Sequence, residues 1–246
     1  FALNEIKSIG QFPAESRKAS ISIDNYSGDM LINDLAFQYP NTKNPIFVGL
    51  HAKFQSGQLT VITGMNASGK STLIKNFVSL LDPVRGSIQV DGIEISQLSL
   101  DWWRDNISYL PQNPQFISAT LRDNIFGYQE KDQDNEKINS VIESSDLADF
   151  IQSHPEGIDM PISQPANELS FGIKKRIALA RALVNDGKLI FFDEPTESLD
   201  AKGCQQIYQT IQNLLHNEKT MVIATSDRQI IQMASLVIDM NQKPSP

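Results

Sequence analysis

The sequence predicts an α/β fold built around one substantial core. The chain has 246 residues, of which 40% are hydrophobic, and its strand-like segments alternate with segments of helical spacing. Residues 59–63 are apolar and β-branched, as in a buried strand, and residues 71–81 carry apolar side chains at helical spacing. A second apolar run, the four residues 189–192, predicts another buried strand that ends at Asp193 and Glu194.

A glycine-rich loop connects the first strand to the helix. Residues 64–72 read Gly-Met-Asn-Ala-Ser-Gly-Lys-Ser-Thr and fit the phosphate-binding pattern G-x-x-x-x-G-K-[ST] at every required position. In such a loop the backbone N–H groups turn toward a phosphate, and the following helix points the positive end of its dipole at the same place. The alternative is a Gly-Lys-Ser turn without a ligand, but the flanking strand and helix favour a nucleotide site. The loop residues predicted to bind nucleotide are Gly64, Met65, Asn66, Ala67, Ser68, Gly69, Lys70, Ser71 and Thr72.

The acidic pair after the second strand is predicted to complete this site. Lys70 supplies a mobile positive charge for the β and γ phosphates, and the Ser71 hydroxyl is a ligand for Mg²⁺. We expect Asp193 to hold Mg²⁺ beside Ser71, and Glu194 to orient and deprotonate the attacking water. A strand that ends in a solvated acidic turn is the alternative, and the glycine loop in the same chain argues against it.

Composition and charge exclude several other classes of function. The formal net charge is −8, which argues against broad nucleic-acid binding because phosphate backbones attract clustered Lys and Arg. The lone Cys204 permits no internal disulfide and fits a reducing compartment, and the three histidines have no spacing typical of a transition-metal site. No run of about 18 apolar residues predicts a membrane span.

Four further segments resemble the ATP-binding cassette (ABC) ATPases. Residues 169–183, Leu-Ser-Phe-Gly-Ile-Lys-Lys-Arg-Ile-Ala-Leu-Ala-Arg-Ala-Leu, are similar to the signature helix of that family, which begins Leu-Ser-Gly-Gly-Gln. Phe-Gln-Tyr-Pro at 37–40 resembles the loop whose aromatic ring stacks on adenine, and Leu-Pro-Gln at 110–112 resembles the loop that links nucleotide to a transmembrane partner. Residues 194–200, Glu-Pro-Thr-Glu-Ser-Leu-Asp, resemble the stretch with the catalytic glutamate and a dimer-contact aspartate. The resemblance covers residues 30–240.

This resemblance implies a P-loop NTPase (RecA-like) core, a small antiparallel β subdomain and a helical subdomain at about residues 113–182. It implies ATP and Mg²⁺ as ligands. Taken singly, Tyr39 is an edge-strand aromatic, Gln112 a surface polar residue and Asp200 a helix cap, but the order of the motifs favours the family roles. The resemblance assigns catalysis to Lys70, Gln112, Glu194 and Ser226, metal binding to Ser71, Gln112 and Asp193, ATP binding to Tyr39, Ser170 and Gly172 besides the loop residues, and a dimer contact to Asp200.

Two segments resemble the exporter branch of the family. These are residues 118–125, Ser-Ala-Thr-Leu-Arg-Asp-Asn-Ile, and residues 155–162, Pro-Glu-Gly-Ile-Asp-Met-Pro-Ile. Residues 1–27 are predicted to be a linker from a preceding transmembrane domain, and residues 28–246 the nucleotide-binding domain. Because the chain begins at Phe1 without Met, we expect it to be a fragment of a longer polypeptide.

The resemblance also implies partners and a location. The partners are the transmembrane domain of the same polypeptide and a second nucleotide-binding domain, identical or different, with no nucleic acid. Two copies are expected to pair head-to-tail with ATP between them, so that each glycine loop meets Ser170 and Gly172 of the other subunit. The location is the cytoplasmic face of a membrane, with the isolated fragment soluble. It is a bacterial inner membrane if the role is type I protein secretion, the variant that the linkers most resemble.

Three positions depart from the family pattern. Phe171 and Ile173 replace glycine and glutamine in the signature, and Ser226 occupies the place of the switch-loop histidine. Serine is too short to reach the γ phosphate, and the loss of one preorganised donor costs about 10²- to 10³-fold in rate. The segment 163–168 also lacks the usual Gly-Glu-x-Gly, which puts communication with a membrane domain in doubt. We therefore predict slow hydrolysis with nucleotide binding intact.

Two other functions remain open at this point. The first is a regulatory nucleotide-binding module with negligible catalysis, paired with a more active partner chain. The second is a cassette protein of DNA repair or translation, which is disfavoured because such proteins usually carry a coiled-coil insert or a second cassette. Residues 174–176, Lys-Lys-Arg, are predicted to be a solvated basic stretch of the signature helix rather than a site for an anionic partner.

Overall fold

The computed structural model describes residues 19–127, 135–163, 166 and 168–241. Within these residues the strands, in chain order, are β1 (Met30–Phe37), β2 (Phe47–Phe54), β3 (Leu59–Thr63), β4 (Arg85–Val90), β5 (Ile93–Glu94), β6 (Ile107–Leu110), β7 (Ala119–Thr120), β8 (Pro161–Ile162), β9 (Leu189–Asp193), β10 (Thr220–Ala224) and β11 (Leu236–Asp239). The α-helices are α1 (Lys70–Phe77), α2 (Leu100–Asp105), α3 (Leu121–Phe126), α4 (Asn135–Ser144), α5 (Ala148–Gln152), α6 (Phe171–Val184), α7 (Ala201–His216) and α8 (Arg228–Met233). Short 3₁₀ turns lie at Ile95–Gln97 and Gly157–Asp159.

The central sheet is parallel and has the strand order β11-β3-β10-β9-β6. Strands β9 and β10 are buried along their whole length, as expected of parallel strands covered on both faces. Ala224 of β10 pairs with Asp193 of β9 and with Ile62 of β3, so the carboxyl ends of these three strands lie side by side. This edge of the sheet is where α/β folds bind ligands. The predicted α/β core and both predicted strands are confirmed.

The small antiparallel sheet is also confirmed, with the strand order β2-β1-β4-β5. Its apolar face joins the central sheet through α1 in one continuous core. Phe77 of α1 stacks on Phe191 of β9 with ring centroids 5.4 Å apart, and its backbone oxygen accepts a 3.1 Å hydrogen bond from Trp103 Nε1. These contacts hold the carboxyl end of α1, the helix that follows the glycine loop, against the central sheet.

The helical subdomain contains α3, α4 and α5, together with the antiparallel pair of β7 and β8, and has its own core. Helix α6 belongs to both units. Its Ile177, Ala180 and Val184 pack in the helical subdomain, whereas its Ala178, Leu179 and Ala182 pack against the central sheet. Arg181, also on α6, donates hydrogen bonds to the backbone oxygens of Asn124 and Gln115.

Two sequence predictions differ from the structure. Helix α1 ends at Phe77 rather than at residue 81, because Ser79 adopts a left-handed conformation (φ 57°) and the Asn76 amide donates to the Leu81 carbonyl. Lys175 is not solvated, since it is only 1% exposed. Its burial follows from its position on α6, one turn before Leu179 on the face that packs against the central sheet.

The predicted linker lies largely outside the described residues, as do residues 164, 165 and 167 of the segment before the signature. Tyr26, two residues before the predicted domain boundary at residue 28, is buried in the core, and its hydroxyl donates to the Asn106 carbonyl over 2.9 Å. Ile21 forms a backbone bridge with Leu98. The boundary itself stays a prediction.

Candidate nucleotide site

The glycine loop curves tightly between β3 and α1, and its two glycines have little space around them. A Cβ atom at Gly64 would lie 2.6 Å from Ser68 Oγ, and one at Gly69, whose φ is 101°, would lie 2.6 Å from Ile46 Cγ2. Neither position tolerates a side chain without a local shift. Ala67 is also left-handed (φ 64°), which adds to the curvature that turns successive backbone N–H groups inward.

Lys70 lies at the first position of α1 with its side chain folded back over the loop. Its ammonium donates to the Gly64 carbonyl over 2.9 Å and to the Met65 carbonyl over 3.3 Å. It also lies 3.6 Å from Glu194 Oε1. Its charged partner is thus a carboxylate from the neighbouring strand end, so the ammonium already has an anion beside it near the helix N-terminus.

Ser71 and Asp193 form the candidate metal centre. Ser71 Oγ donates to Asp193 Oδ1 over 3.0 Å, which joins the start of α1 to the end of β9. Asp193 is 1% exposed, and its burial raises the pKa of the carboxyl to about 6. Hydroxyl and carboxylate oxygens are the ligands that Mg²⁺ prefers, and Ser68 Oγ is buried nearby without a hydrogen bond to any described residue. This donor set fits a magnesium ion.

Glu194 leaves the sheet with a left-handed backbone. Its φ is 46°, and its N–H donates to the Ala224 carbonyl of β10 over 2.8 Å. A non-glycine residue in this conformation costs on the order of 1 kcal/mol, and such residues cluster at functional sites. The turn separates the two neighbouring carboxylates, since that of Asp193 is buried against Ser71 whereas that of Glu194 lies in an open cleft.

This cleft has a volume of about 460 Å³ and a polar lining. It brings together five of the predicted catalytic or metal-binding residues from four separate parts of the chain. The residues that line it are Asn66, Ala67, Lys70, Ser71, Gln112, Glu194, Thr196, Glu197, Thr225, Ser226 and Asp227.

Four of these lining residues were missed by the sequence analysis, namely Thr196, Glu197, Thr225 and Asp227. All four come within four residues of the carboxyl end of β9 or β10, so the predicted strand ends were the signal that could have found them. Glu197 Oε2 accepts a 3.0 Å hydrogen bond from the Gln112 amide, which links the loop after β6 to the loop after β9.

Asp227 anchors the loop that carries Ser226. Its Oδ2 accepts from Tyr208 Oη over 2.8 Å and from Thr196 Oγ1 over 2.9 Å, and its Oδ1 caps α8 by accepting from the Gln229 N–H over 2.8 Å. Although burial raises the pKa of Asp227, these hydrogen bonds lower it by a larger amount together. The loop is firmly held even though Ser226 itself is short and exposed.

Tyr39 and the signature residues lie outside the cleft lining. Tyr39 Oη lies 3.1 Å from Thr72 Oγ1, and its ring makes an edge contact with Phe37 at 4.9 Å, which places it at the start of α1. Ser170 caps α6, accepting from the Ile173 N–H over 3.3 Å, and Gly172 lies near the Ser198 carbonyl. Within one subunit, therefore, Ser170 and Gly172 do not meet the glycine loop.

Asp200 begins α7 as its N-cap, accepting from the Gly203 N–H over 2.8 Å and pairing with Arg176 over 3.3 Å. The structure thus places it in the helix-cap role that its residue type allows, while its side chain remains 68% exposed. Phe171, at the first position of α6, is 37% exposed.

Comparison with known proteins decides the family. The family model described as ABC transporter matches residues 47–197, more than half of the chain. The chain belongs to the ABC transporter family. ABC transporter B family member 21 from Arabidopsis thaliana is 30% identical over 233 residues, which cover 91% of this chain and 18% of that protein. ABC transporter B family member 1 from Dictyostelium discoideum is 32% identical, over 94% of this chain and 25% of that protein.

The fold agrees with this membership. A solved structure described as a bacterial Atm1-family ABC exporter with ATP bound superposes with a TM-score of 0.84 at 24% identity, covering 99% of this chain and 43% of that one. The predicted P-loop NTPase fold of an ABC nucleotide-binding domain is confirmed. The chain spans 18–25% of the length of the two curated ABC relatives above. None of the described helices combines the length and apolar character that a bilayer span requires.

Proposed function

We propose that this chain is the ATP-binding and ATP-hydrolysing domain of an ABC exporter, at the cytoplasmic face of its membrane. The observation that carries the proposal is the convergence of Lys70, Ser71, Asp193 and Glu194 at the carboxyl edge of the parallel sheet. The exporter role is supported by the name of the similar bacterial Atm1-family structure and by the transporter names of the curated relatives. The type I secretion role stays a prediction.

In this proposal, ATP binding depends on the glycine loop and on Lys70. The inward N–H groups of the glycine loop and the ammonium of Lys70 bind the β and γ phosphates, and Tyr39 binds the adenine face. Ser71, Asp193 and the Gln112 amide oxygen would hold Mg²⁺, which would neutralise charge on the phosphate oxygens. When ATP binds, its phosphates attract the Lys70 ammonium away from the loop carbonyls and from Glu194.

Hydrolysis then depends on Glu194. Its carboxylate accepts a hydrogen bond from a water molecule, orients the water oxygen toward the γ phosphorus and takes up the proton as the new P–O bond forms. The bond between the γ phosphorus and the bridging oxygen breaks, and ADP leaves with the electron pair. Separation of Glu194 from the Lys70 ammonium on nucleotide binding leaves its carboxylate available for this proton.

Slow turnover is the second part of the proposal. Ser226 offers no side chain long enough to donate to the γ phosphate, and the Phe171 ring stands exposed at the start of the signature helix. A nucleotide-binding regulatory module paired with a more active partner is the second candidate, and Phe171, Ile173 and Ser226 favour it. Intact Glu194 favours the ATPase.

ATP-dependent pairing with a second nucleotide-binding domain is the third part. Ser170 and Gly172 lie away from the cleft of their own subunit, and Asp200 is 68% exposed, so all three are available to a facing subunit. Motion of such a pair drives the transmembrane domain of the same polypeptide between its inward-facing and outward-facing states. The cargo depends on that domain.

The experiment that tests the proposal measures binding and turnover separately. Calorimetry with Mg-ATP on the folded domain is expected to show saturable heat, and phosphate release is expected to be slow. Absence of heat would contradict the nucleotide site, whereas binding with no detectable phosphate release would favour the regulatory module. Binding that leaves the protein monomeric at every concentration tested would contradict ATP-dependent pairing.

A further inference from the structure

Lys175 is a buried cation beneath the nucleotide cleft. It lies in the second turn of α6, is 1% exposed, and is one of the largest fully buried side chains in the described part of the chain. Lysine is rarely buried to this degree unless its charge is paired. The catalytic proposal above gives it no role, although it contacts the backbone of two residues that the proposal uses.

The ammonium of Lys175 bonds to three backbone oxygens. It donates to the carbonyls of Pro111, Gln112 and Asp193, each over 3.2 Å. An ammonium has three donors, and here each donor has a carbonyl acceptor. The contact therefore joins three segments that are far apart in the sequence, namely the signature helix, the loop that begins at Pro111 after β6, and the end of β9.

Burial of the charged Lys175 ammonium carries a desolvation penalty. Burial lowers its pKa to about 8, and the carboxylates of Asp193, Glu197 and Glu194 oppose that shift. A methionine of similar length would fill the same space without a desolvation penalty, so packing alone does not call for a lysine. What a methionine could not do is hold the two loop carbonyls next to the carbonyl of Asp193.

We propose that Lys175 is a positioning residue that fixes the loop of Pro111 and Gln112 against the end of β9, so that Gln112 and Asp193 present their side chains to the same metal. The consequence for binding rests on the proposed function, because it concerns Mg-ATP. The consequence for the loop does not, because the three hydrogen bonds exist without nucleotide. Lys175 acts through the backbone and touches neither substrate nor metal.

The test compares Lys175→Met and Lys175→Gln with the wild-type domain, and uses Lys174→Met as the matched control. Lys174 is the neighbouring lysine on the same helix and is partly exposed. Methionine removes all three hydrogen bonds, whereas the shorter glutamine amide keeps two donors and loses the charge. We therefore expect Lys175→Met to loosen the loop most and Lys175→Gln to loosen it less. Lys174→Met should behave like the wild type.

The first measurement is amide hydrogen exchange of Gln112 and Asn113 without nucleotide. Loss of hydrogen bonds to a charged donor is expected to speed this exchange about tenfold or more in Lys175→Met, and by less in Lys175→Gln. Exchange in β10, on the far side of β9, serves as the internal reference and is expected to change little. A uniform rise across the domain would show a merely structural role and would overturn the proposal.

The second measurement is ATP affinity with Mg²⁺ and with EDTA. Lys175→Met is expected to reduce the gain in affinity that Mg²⁺ provides by about tenfold, as for the loss of one orienting contact behind a metal ligand, while affinity in EDTA stays unchanged. An unchanged ratio would overturn the metal-positioning role. If no variant, wild type included, binds ATP, the proposed function fails, and the exchange result still decides whether Lys175 holds the loop.

The two Lys175 variants allow a decision even if one of them does not fold. If Lys175→Met fails to fold, Lys175→Gln decides alone, because its loss of one bond and of the charge must raise exchange at Gln112 above the wild-type rate. Lys175→Gln indistinguishable from wild type in both measurements would overturn the proposal.

Discussion

The two halves of the nucleotide cleft differ in how closely they keep the residues that ATP chemistry needs. On the side formed by the glycine loop and the end of β9, Lys70, Ser71, Asp193 and Glu194 are all present and in mutual contact or close to it. On the side formed by the switch loop after β10, Ser226 is short. In the proposed site, the residues assigned to phosphate and metal binding keep the family pattern, whereas Ser226, assigned to the place of a donor to the leaving phosphate, departs from it.

If the proposed roles hold, this difference predicts that ATP binding and ATP turnover can change independently in this domain. In the proposed site, binding depends on N–H groups, a cation and oxygen ligands on the β3–α1–β9 side, together with the Gln112 amide oxygen after β6. Turnover needs an additional donor where negative charge develops, and that donor contributes to the transition state rather than to the ground state. The predictions below test this separation, beginning with the largest expected effect.

Glu194→Gln is expected to abolish most of the remaining turnover, by about 10²- to 10⁴-fold, because the amide cannot accept the proton of the attacking water. ATP affinity should be unchanged or higher, since the carboxylate near Lys70 is lost. Phosphate release and equilibrium binding measure the two effects. Glu197→Gln, which alters a neighbouring carboxylate of the same cleft, should reduce turnover far less. Unchanged turnover in Glu194→Gln would remove Glu194 from its proposed role.

Ser226→His is expected to raise turnover by about 10²- to 10³-fold, because it restores a donor of sufficient length for the γ phosphate. The affinity for Mg-ATP should change little. Gln229→His, which adds a histidine at an exposed position of α8, is the control and should not change turnover. If Ser226→His has no effect, the slow step lies elsewhere, and Phe171 at the signature helix becomes the residue to test.

Lys70→Met tests the intact side and is expected to lower ATP affinity about 10- to 100-fold, the effect of losing charge-assisted hydrogen bonds to phosphate. Lys75→Met is the control: it removes one positive charge from the same helix, about a turn and a half after Lys70, and leaves the loop unchanged. It should therefore lower ATP affinity much less. Calorimetry provides both values. Equal losses in the two variants would mean that general charge, not the position of Lys70, determines binding.

The sequence predicted the intact side of the cleft better than the altered side because its signals are local. The glycine loop and the strand that ends at Asp193 can be recognised from neighbouring residues alone, and both are confirmed as elements. The end of α1 could not be read in the same way, since it depends on the Asn76 side chain and on a left-handed Ser79.

Lys175 and Asp227 show why the rest of the site was missed. Three consecutive basic residues look solvated, but Lys175 shares a helical face with Ala178, Leu179 and Ala182, all of which pack against the central sheet. That spacing was available from the sequence. The role of Asp227 could not be predicted from neighbouring residues. Its partners Tyr208 and Thr196 are distant in sequence and are brought close by the parallel pairing of β9 with β10.

The smallest expected effect concerns the loop after β10, which Asp227 holds by hydrogen bonds although Ser226 in that loop departs from the family pattern. Tyr208→Phe removes one hydrogen bond to the Asp227 carboxylate and is expected to lower the free energy of unfolding by about 1–2 kcal/mol at pH 7. In the folded state the pKa of Asp227 is lowered, so its carboxylate stabilises the fold above the unfolded-state pKa of about 3.9, and this contribution is lost as pH falls through the folded-state pKa.

Denaturant unfolding of wild type and Tyr208→Phe should therefore differ more at pH 7 than at acid pH below the lowered folded-state pKa of Asp227, where the carboxyl is protonated. A double-mutant cycle with Asp227→Asn provides the control, because Tyr208→Phe should cost less once the charged acceptor is gone. A difference that is independent of pH and of residue 227 would mean that the phenol hydroxyl stabilises α7 without anchoring the loop. In that case the Tyr208–Asp227 hydrogen bond would not be what holds the loop of Ser226 in place at the cleft.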